Sequence, residues 1–213
     1  MERIEVRQIV NPTPEEMDAA AETLKEASQK CPACVGGNYD YMQPFQRSMI
    51  AAAIVGGGEF WVAKYGDHDF AGVAIWFGPQ KAFMHTPEQG EVGFNALLES
   101  FPQSLLDWWV EYFLPKYETF TTEVLGEGVK FNAWHLLQIG ILPGYYGKGI
   151  ARALTKAVEN KPEAAGNTFI LETESAENLP IYEKLGYTIK AKGYFKSSIR
   201  DEGFPMWVLV KQL

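Results

Sequence analysis

The spacing of hydrophobic positions predicts strands and helices in alternation at the start of the chain. Residues 2–9 alternate polar and apolar side chains, which is typical of a strand. Thr13 stands three residues before Glu16, the spacing of a capping box, and predicts a helix that runs to about Gln29. The apolar run over 45–54 predicts a second helix, because three consecutive glycines follow it.

The next segment predicts a hairpin followed by less regular chain. Residues 59–64 and 70–77 are rich in β-forming side chains, and the turn-forming residues 65–69 lie between them. Residues 78–103 show no clean periodicity, and we predict a long loop with a short helical piece there.

Large hydrophobic side chains then recur at helical spacing before residue 115. The positions that share this spacing are Leu105, Trp109, Tyr112 and Phe113. Pro115 has no amide hydrogen to donate, so we expect it to end or restart that helix. A further helix is predicted over 116–125.

The second half of the chain has a clearer pattern. A strand is predicted over 134–142 and is followed by a glycine-rich turn and a helix with one apolar stripe. The stripe consists of Ile150, Ala153, Leu154, Ala157 and Val158. The remaining predicted elements are a strand at 168–173, a short helix at 178–185 and closing strands at 187–195 and 204–210. The order predicts a mixed α/β domain whose central sheet is covered by helices.

Composition and charge exclude several classes of protein. Hydrophobic residues make up 46% of the 213 residues and charged residues 22%, as in ordinary globular domains. The net charge of -8 disfavours nucleic acid as a partner. Residues 1–130 hold 9 basic and 19 acidic residues, whereas residues 131–213 hold 10 basic and 8 acidic ones. This asymmetry is compatible with two ligands of opposite charge.

No membrane, secretion or metal signal stands out in the sequence. The longest apolar run, 49–55, is too short to cross a bilayer, and the first residues lack the apolar core of a signal peptide. Cys31 and Cys34 have the spacing of a redox or metal site, but no second cysteine pair follows, so we interpret them as incidental. We therefore expect a cytoplasmic protein without a metal, either monomeric or homodimeric.

The glycine-rich turn after the predicted strand 134–142 is a candidate anion site. Gly147 and Gly149 allow the backbone to bend tightly, and the helix that follows begins with unpaired amide hydrogens. The helix dipole adds partial positive charge at the same place, and Lys148 and Arg152 add full charges. The Walker pattern is absent and the dinucleotide fingerprint is incomplete, because Arg152 stands where a third glycine would be. A tight turn without a ligand remains the alternative at this point.

Two segments, in this order, resemble the GCN5-related N-acetyltransferase (GNAT) superfamily. The first runs from Gln138 through the turn to Leu154, and the second runs from Leu171 to Tyr187. Together they are most similar to the puromycin N-acetyltransferase-like branch and its fungal relatives. The resemblance covers roughly residues 133–190. It implies one GNAT domain over residues 1–213, with a mostly antiparallel mixed sheet that splays at the strand holding coenzyme A.

The resemblance also implies a division of labour and a set of binding residues for acetyl-CoA. Residues 1–130, with a helical insertion at 78–130, would form the acceptor side, and 131–213 would bind acetyl-CoA. The binding residues carried over are Ile139, Gly140, Ile141, Tyr146, Gly147, Lys148, Gly149, Ile150, Ala151, Arg152, Asn178 and Tyr182. The family usually has Gln or Arg at the position of Tyr146, which puts a side-chain contact there in doubt.

The chemistry of acetyl transfer assigns two further roles. Tyr182 stands where the family keeps the tyrosine that protonates the departing thiolate, and a helix aromatic packed in the core is its alternative. The amine must lose a proton to a base, for which Glu172, His135 or a water chain are the candidates. Either residue could instead be structural: Glu172 as an ion-pair partner, His135 as a core histidine. No cysteine lies in the motif region, so a covalent acetyl-enzyme is not indicated.

The sequence therefore predicts an acetyl-CoA-dependent N-acetyltransferase. The acidic first part favours a small cationic amine as acceptor, with direct transfer in a ternary complex. Two alternatives stay open: acetylation of protein lysines or N-terminal amines, and a regulator that binds coenzyme A without catalysis. The sequence does not decide between acetyl and a longer acyl group.

Overall fold

The computed structural model describes residues 2–28 and 32–213 and is built around one seven-stranded sheet. Its strands are β1 (Ile4–Gln8), β2 (Glu59–Tyr65), β3 (His68–Phe77), β4 (Trp134–Ile141), β5 (Thr168–Thr173), β6 (Thr188–Phe195) and β7 (Phe204–Gln212). The strand order in space is β1-β2-β3-β4-β5-β7-β6. All neighbours are antiparallel except β4 and β5. The predicted mixed, mostly antiparallel sheet is confirmed.

The parallel pair β4 and β5 is joined over only three positions. Residues 134–136 pair with residues 169–171, and β4 then continues to Ile141 without a partner strand on that side. On its other side β4 stays paired with β3, with one extra residue, Leu137, inserted between the pairs of Leu136 and Gln138. Such a bulge bends a strand and changes its twist. The sheet therefore splays open between β4 and β5, as the sequence resemblance implied.

One face of the sheet is covered by α7 (Ile150–Glu159) and α8 (Leu179–Lys184). The apolar stripe of α7, through Ile150, Leu154 and Val158, packs against alternate side chains of the central strands. Ala153 and Ala157, which the pattern also placed on that stripe, are half-buried. We call this side of the sheet the α7 face.

The opposite face is covered by α1 (Pro14–Ala27), α2 (Met42–Val55) and α6 (Leu114–Leu125). The predicted capping box is present at the start of α1, where Thr13 and Glu16 exchange hydrogen bonds. Leu24 of α1 and Ile50 of α2 pack on β2 and β3, whereas Phe120 of α6 packs on Ile170 and its neighbours. We call this side of the sheet the α6 face.

The segment between β3 and α6 is more helical than the sequence predicted. It contains α3 (Pro87–Gln89), a π-helical turn at Gly90–Phe94, α4 (Asn95–Ser100) and α5 (Gln103–Asp107). The prediction of a long loop over 78–103 was therefore wrong for the second half of that range. Short 3-10 turns occupy Pro32–Val35, Tyr39–Tyr41, Pro143–Tyr145, Pro162–Ala164 and Ala176–Asn178. Hydrophobic periodicity did not reveal the helices between β3 and α6, because each of them is shorter than two helical turns.

Pro115 lies in the first turn of a restarted helix, as the sequence predicted, although the chain does not leave helical conformation there. The chain passes from α5 through a π-helical stretch, Trp108–Phe113, directly into α6, with helical backbone angles at both junctions. The amide of Leu114 bonds to the carbonyl of Trp109, five residues back. The hydrogen-bond register thus changes just before the residue that has no amide to donate. α6 begins at Leu114, two residues before the predicted start.

Two sequence expectations fall on residues that the structure does not describe. They are the predicted end of the first helix at Gln29 and the position of Cys31, both outside residues 2–28 and 32–213. Within those ranges, no helix has the length and apolar character needed to cross a membrane.

Candidate active site

The opening between β4 and β5 provides a backbone edge for a ligand. After Leu136, residues 137–141 have no strand on the β5 side, because the last β4–β5 pair is Leu136 with Leu171. Ile139 and Ile141 are half-buried and pack towards the α7 face. An extended ligand arm can bind such an edge as an additional strand would.

Gly140, between those two isoleucines, has a packing reason of its own. A Cβ atom at this position would lie 2.9 Å from both Ala27 Cβ and Leu24 Cδ2 of α1. The glycine therefore lets α1 approach β4 on the α6 face. The backbone of Gly140 still belongs to the open edge of β4. The close packing of α1 explains why this position is a glycine.

The glycine-rich turn presents a continuous row of unpaired amides. Gly147 and Gly149 both adopt left-handed backbone angles, with φ of 75° and 87°. Among the described residues, none of the six backbone amides from 147 to 152 has a hydrogen-bond partner. No side chain caps α7, and Gly149 stands at its N-cap. Unpaired amides at the start of a ten-residue helix attract an anion.

The side chains around this turn lie in two environments. Tyr146, Lys148 and Arg152 are exposed, and 61% of the Tyr146 surface is accessible. Ile150 is buried in the α7-face core and Ala151 is half-buried, so these two offer a ligand their amides only. A Cβ atom at Gly147 would meet no atom within 4 Å, so the space beside it is open.

Tyr182 lies on α8 within the core of the α7 face. Its ring meets Tyr187 edge-on, with centroids 6.2 Å apart, and only 8% of the residue is exposed. Burial raises the pKa of Tyr182 above its usual range, and the charge of Glu174 adds to this. The Tyr182 hydroxyl is therefore protonated at neutral pH. Asn178 immediately precedes α8 and is half-buried.

Glu172 and His135 form a close pair on the α6 face. His135 Nε2 lies 2.7 Å from Glu172 Oε2, and both side chains are almost fully buried. His135 belongs to the last paired segment of β4, and Glu172 is the first residue of β5 beyond the pairing. The two candidates for the base therefore contact each other at the closed end of the opening.

Two residues that the sequence analysis did not select complete this cluster. Lys130 Nζ lies 3.3 Å from Glu172 Oε1 and donates a hydrogen bond to the hydroxyl of Tyr117 on α6. The same ammonium group lies 4.1 Å from the centroid of the Tyr117 ring. No motif connects residues 117, 130, 135 and 172, because four separate segments of the chain supply them.

The charges in the cluster decide the protonation of each group. Burial raises the pKa of Glu172, but the Lys130 ammonium and His135 outweigh it and hold that pKa far below its usual value. Burial and Lys130 lower the pKa of His135, although Glu172 opposes them. Burial raises the pKa of Tyr117 well above its usual range, with Glu172 contributing. At neutral pH the cluster thus contains a carboxylate, an ammonium, a neutral imidazole and a neutral phenol.

These states fix the tautomer of His135. A carboxylate only accepts hydrogen bonds, so the neutral ring must donate its proton from Nε2 to Glu172. The lone pair is then on Nδ1, for which the described residues supply no hydrogen-bond donor. Glu172 orients an imidazole whose other nitrogen is free to accept a proton.

The candidate groups lie on opposite faces of the sheet. Tyr182 belongs to the α7 face, whereas Glu172 and His135 belong to the α6 face, and the gap between β4 and β5 separates them. A group held in the gap is accessible from both sides. Within residues 2–28 and 32–213, no group of three or more His, Cys, Asp or Glu side chains is arranged to hold a metal ion.

Comparisons with known protein families and sequences find acetyltransferases. Residues 121–206 match the acetyltransferase (GNAT) domain family. An uncharacterized N-acetyltransferase of Schizosaccharomyces pombe is 24% identical over 144 residues. That alignment includes 68% of this chain and only 57% of the length of the fission yeast protein.

Solved structures share the fold over nearly the whole chain. A Drosophila melanogaster polyamine N-acetyltransferase, which catalyses the formation of N-acetylagmatine, superposes with a TM-score of 0.62 at 16% identity, over 99% of this chain and 100% of its own. A structure described as histone acetyltransferase HPA2 and related acetyltransferase from Corynebacterium glutamicum superposes with a TM-score of 0.61 at 18% identity, over 100% of this chain and 97% of its own. The ribosomal-protein-S18-alanine N-acetyltransferase of Escherichia coli superposes with a TM-score of 0.56 at 13% identity, over 99% of this chain and 94% of its own.

Proposed function

The chain carries a GNAT acetyltransferase domain, and from this premise we propose that it moves the acetyl group of acetyl-CoA to the primary amine of a small cationic molecule. The transfer is direct, in a ternary complex. The observation that carries the proposal is the row of six unpaired amides at residues 147–152, at the end of a strand whose edge is open. A pyrophosphate and an extended pantetheine arm are the chemical complements of these two features.

The binding roles follow the elements of the α7 face. The amides from Gly147 to Arg152 hold the pyrophosphate, and the Lys148 and Arg152 side chains add positive charge from the solvent side. The backbone of Ile139, Gly140 and Ile141 pairs with the pantetheine arm. Asn178 contacts the same ligand from the start of α8.

The other binding positions act through the backbone. The amides of Ile150 and Ala151 serve the ligand, because the Ile150 side chain is buried and that of Ala151 is half-buried. Tyr146 is exposed beside the turn and contributes its backbone. No metal takes part in this scheme.

The chemical roles divide between the two faces of the sheet. On the α7 face, Tyr182 keeps its proton at neutral pH and gives it to the departing thiolate. On the α6 face, His135 accepts the proton of the attacking amine through Nδ1, and Glu172 holds the imidazole in the required tautomer. Glu172 alone is a weak base, since Lys130 and His135 stabilise its ionised form.

A small acceptor fits the elements that cover the α6 face. The helical segment from α3 to α6 packs over this face, and a peptide would need an open groove there. The acidic excess of residues 1–130 attracts a cation. The fold does not decide the acceptor, because both a polyamine N-acetyltransferase and a ribosomal-protein N-acetyltransferase share it.

The test measures thiol release from acetyl-CoA with a panel of amines. The panel contains polyamines, puromycin, aminoglycosides, aryl and alkyl amines, lysine-bearing peptides and peptides with a free N-terminal alanine. We expect release with a small cationic amine and none with the peptides. Release with peptides alone would replace the proposed acceptor by a protein. Thermal stabilisation by acetyl-CoA without any release across the panel would favour a coenzyme A-binding regulator.

A further inference from the structure

Lys130 reaches the candidate active site from the loop that follows α6. Its side chain is 26% exposed, and the Glu172 side chain that it faces is 10% exposed. The loop turns through Gly126 and Gly128, both with left-handed backbone angles, and so directs the lysine back towards β5. A cation on a surface loop is thus held against a buried carboxylate.

The surroundings of the Lys130 ammonium are those that an acceptor amine would need. It has a carboxylate 3.3 Å away, a phenol hydroxyl within hydrogen-bond distance and the Tyr117 ring beside it. Glu172 Oε1 is buried, and Lys130 forms an ion pair with it. An amine entering the site would meet this same carboxylate oxygen.

The position of Lys130 relative to the opening distinguishes it from the other described lysines. Glu172 is the first residue of β5 after the last β4–β5 pair, so the ammonium lies at the closed end of the gap. Lys116, one helix away, lies instead over the rings of Tyr112 and Phe195. Lys148 is exposed beside the glycine-rich turn. Lys130 is the described lysine that pairs with Glu172.

We propose that Lys130 is a self-acetylation site, modified in cis by the acetyl-transfer centre. The inference rests on the proposed function. The Lys130 ammonium first releases one proton to solvent, which frees the Nζ lone pair to bond to the thioester carbonyl carbon, and the carbon–sulfur bond breaks. A second Nζ proton passes to Nδ1 of His135, whose Nε2 stays hydrogen-bonded to Glu172, and the departing sulfur takes a proton from Tyr182, which solvent replaces. The products are Nε-acetyl-Lys130 and free coenzyme A.

The modification changes the charge of the acceptor site. An acetylated lysine is neutral and no longer forms an ion pair with Glu172. The carboxylate then has no cation beside it and is available to the ammonium group of an external acceptor. Self-acetylation would thus convert a site filled by an internal cation into one that attracts an external cation.

The experiment incubates the purified full chain with trideuteroacetyl-CoA and no amine, followed by intact-mass and peptide mass spectrometry. We expect one heavy acetyl group per chain, on the peptide containing Lys130. Lys130→Arg should abolish it and still pair with Glu172, whereas the matched variant Lys116→Arg should be labelled as the wild type. Modification in cis predicts a labelled fraction that does not change when the protein is diluted. A Glu172→Gln chain mixed with wild type should stay unlabelled.

Several outcomes would overturn the inference. Absence of the heavy label at Lys130 would do so, and so would labelling of exposed Lys190 on β6 at the same rate, since that indicates uncatalysed acetylation. If the amine panel gives turnover while Lys130 stays unlabelled, the proposed function stands and the self-acetylation fails. If acetyl-CoA neither stabilises the fold nor supports turnover, both fail together. Peptide mapping of the wild type needs no variant, so a folding defect in Lys130→Arg does not affect the result.

Discussion

The two candidate sites of this molecule are built in different ways. The anion site at the start of α7 consists of six successive amides in one stretch of chain, with two glycines that set its backbone angles. The cluster on the α6 face consists of four side chains from four segments, Tyr117, Lys130, His135 and Glu172. A backbone site depends on local conformation, whereas a side-chain cluster depends on the assembly of the fold. The two sites therefore respond differently to mutation.

The largest expected effect is the loss of the Glu172 charge. Glu172→Gln replaces a carboxylate, which only accepts hydrogen bonds, by an amide that can pair with either tautomer of His135, and it leaves the half-buried Lys130 ammonium without an ion pair. We expect kcat/KM for the best amine to fall about 100- to 10,000-fold, the range for a lost acid–base group. Steady-state kinetics and urea unfolding measure activity and stability on the same preparation.

The control for this prediction is an exposed carboxylate on a neighbouring element. Glu183→Gln on α8 changes the charge by the same amount without touching the cluster, and it should leave kcat/KM within about two-fold of wild type. An unchanged rate in Glu172→Gln would remove Glu172 from the mechanism. Acetyl-CoA affinity should be unaffected in either variant, because the anion site lies on the other face.

Tyr182→Phe tests the α7 face of the same reaction. The ring that packs against Tyr187 is kept and only the hydroxyl is lost, so we expect the stability to change by less than about 1 kcal/mol. The turnover number should fall about 100-fold, while the dissociation constant for acetyl-CoA stays nearly the same. Isothermal titration and initial rates measure the two quantities. An equal loss of affinity and turnover would make Tyr182 a packing residue.

Gly147→Ala tests the anion site with a closely matched control elsewhere in the chain. Gly147 and Gly166 both have φ of 75°, and a Cβ atom at either position would meet no atom within 4 Å. Both alanine variants should therefore cost about 1–2 kcal/mol of stability from the left-handed backbone alone. Only Gly147→Ala should also weaken acetyl-CoA binding, by about 10-fold, because its Cβ points into the space proposed for the pyrophosphate.

The contrast between the two variants decides the assignment of the anion site. Equal acetyl-CoA affinity in Gly147→Ala and Gly166→Ala would place the pyrophosphate elsewhere. A more severe version, Gly149→Val, puts a β-branched side chain at the left-handed N-cap of α7 and should abolish binding.

The same contrast explains which features could be predicted from the sequence. Consecutive residues over 134–159 form the strand, the glycine turn and the helix, so the local pattern of hydrophobic residues and glycines was enough to predict their positions. The contact between His135 and Glu172 needed the parallel register of β4 on β5, which no local pattern contains. Tyr117 and Lys130 carry no sequence signal of a site, because Tyr117 is one of many aromatics in a helix and Lys130 stands in a loop without periodicity. The restart at Pro115 follows from its missing amide hydrogen, whereas the π-helical stretch before it was not predicted.

The smallest expected effect concerns pH and His135. Burial lowers the pKa of His135 in the folded protein, so the unfolded chain binds a proton more readily than the folded one. The free energy of unfolding should therefore decrease as the pH falls from about 6.5, the usual pKa of histidine, through the folded pKa of His135. Protonation of Glu172 also decreases the free energy of unfolding, but only below about pH 4.5, since the pKa of Glu172 is lowered in the folded protein.

In His135→Gln the free energy of unfolding should change less with pH between pH 7 and the range where carboxylates titrate. The matched control is His68→Gln at the exposed start of β3, which should keep the wild-type slope. Urea unfolding at half-unit steps of pH measures both. A slope that persists in His135→Gln would mean that another group titrates in this range, and that His135 does not enter the reaction as a buried neutral base. A slope that disappears would support the neutral imidazole on which the side-chain cluster, unlike the backbone site, depends.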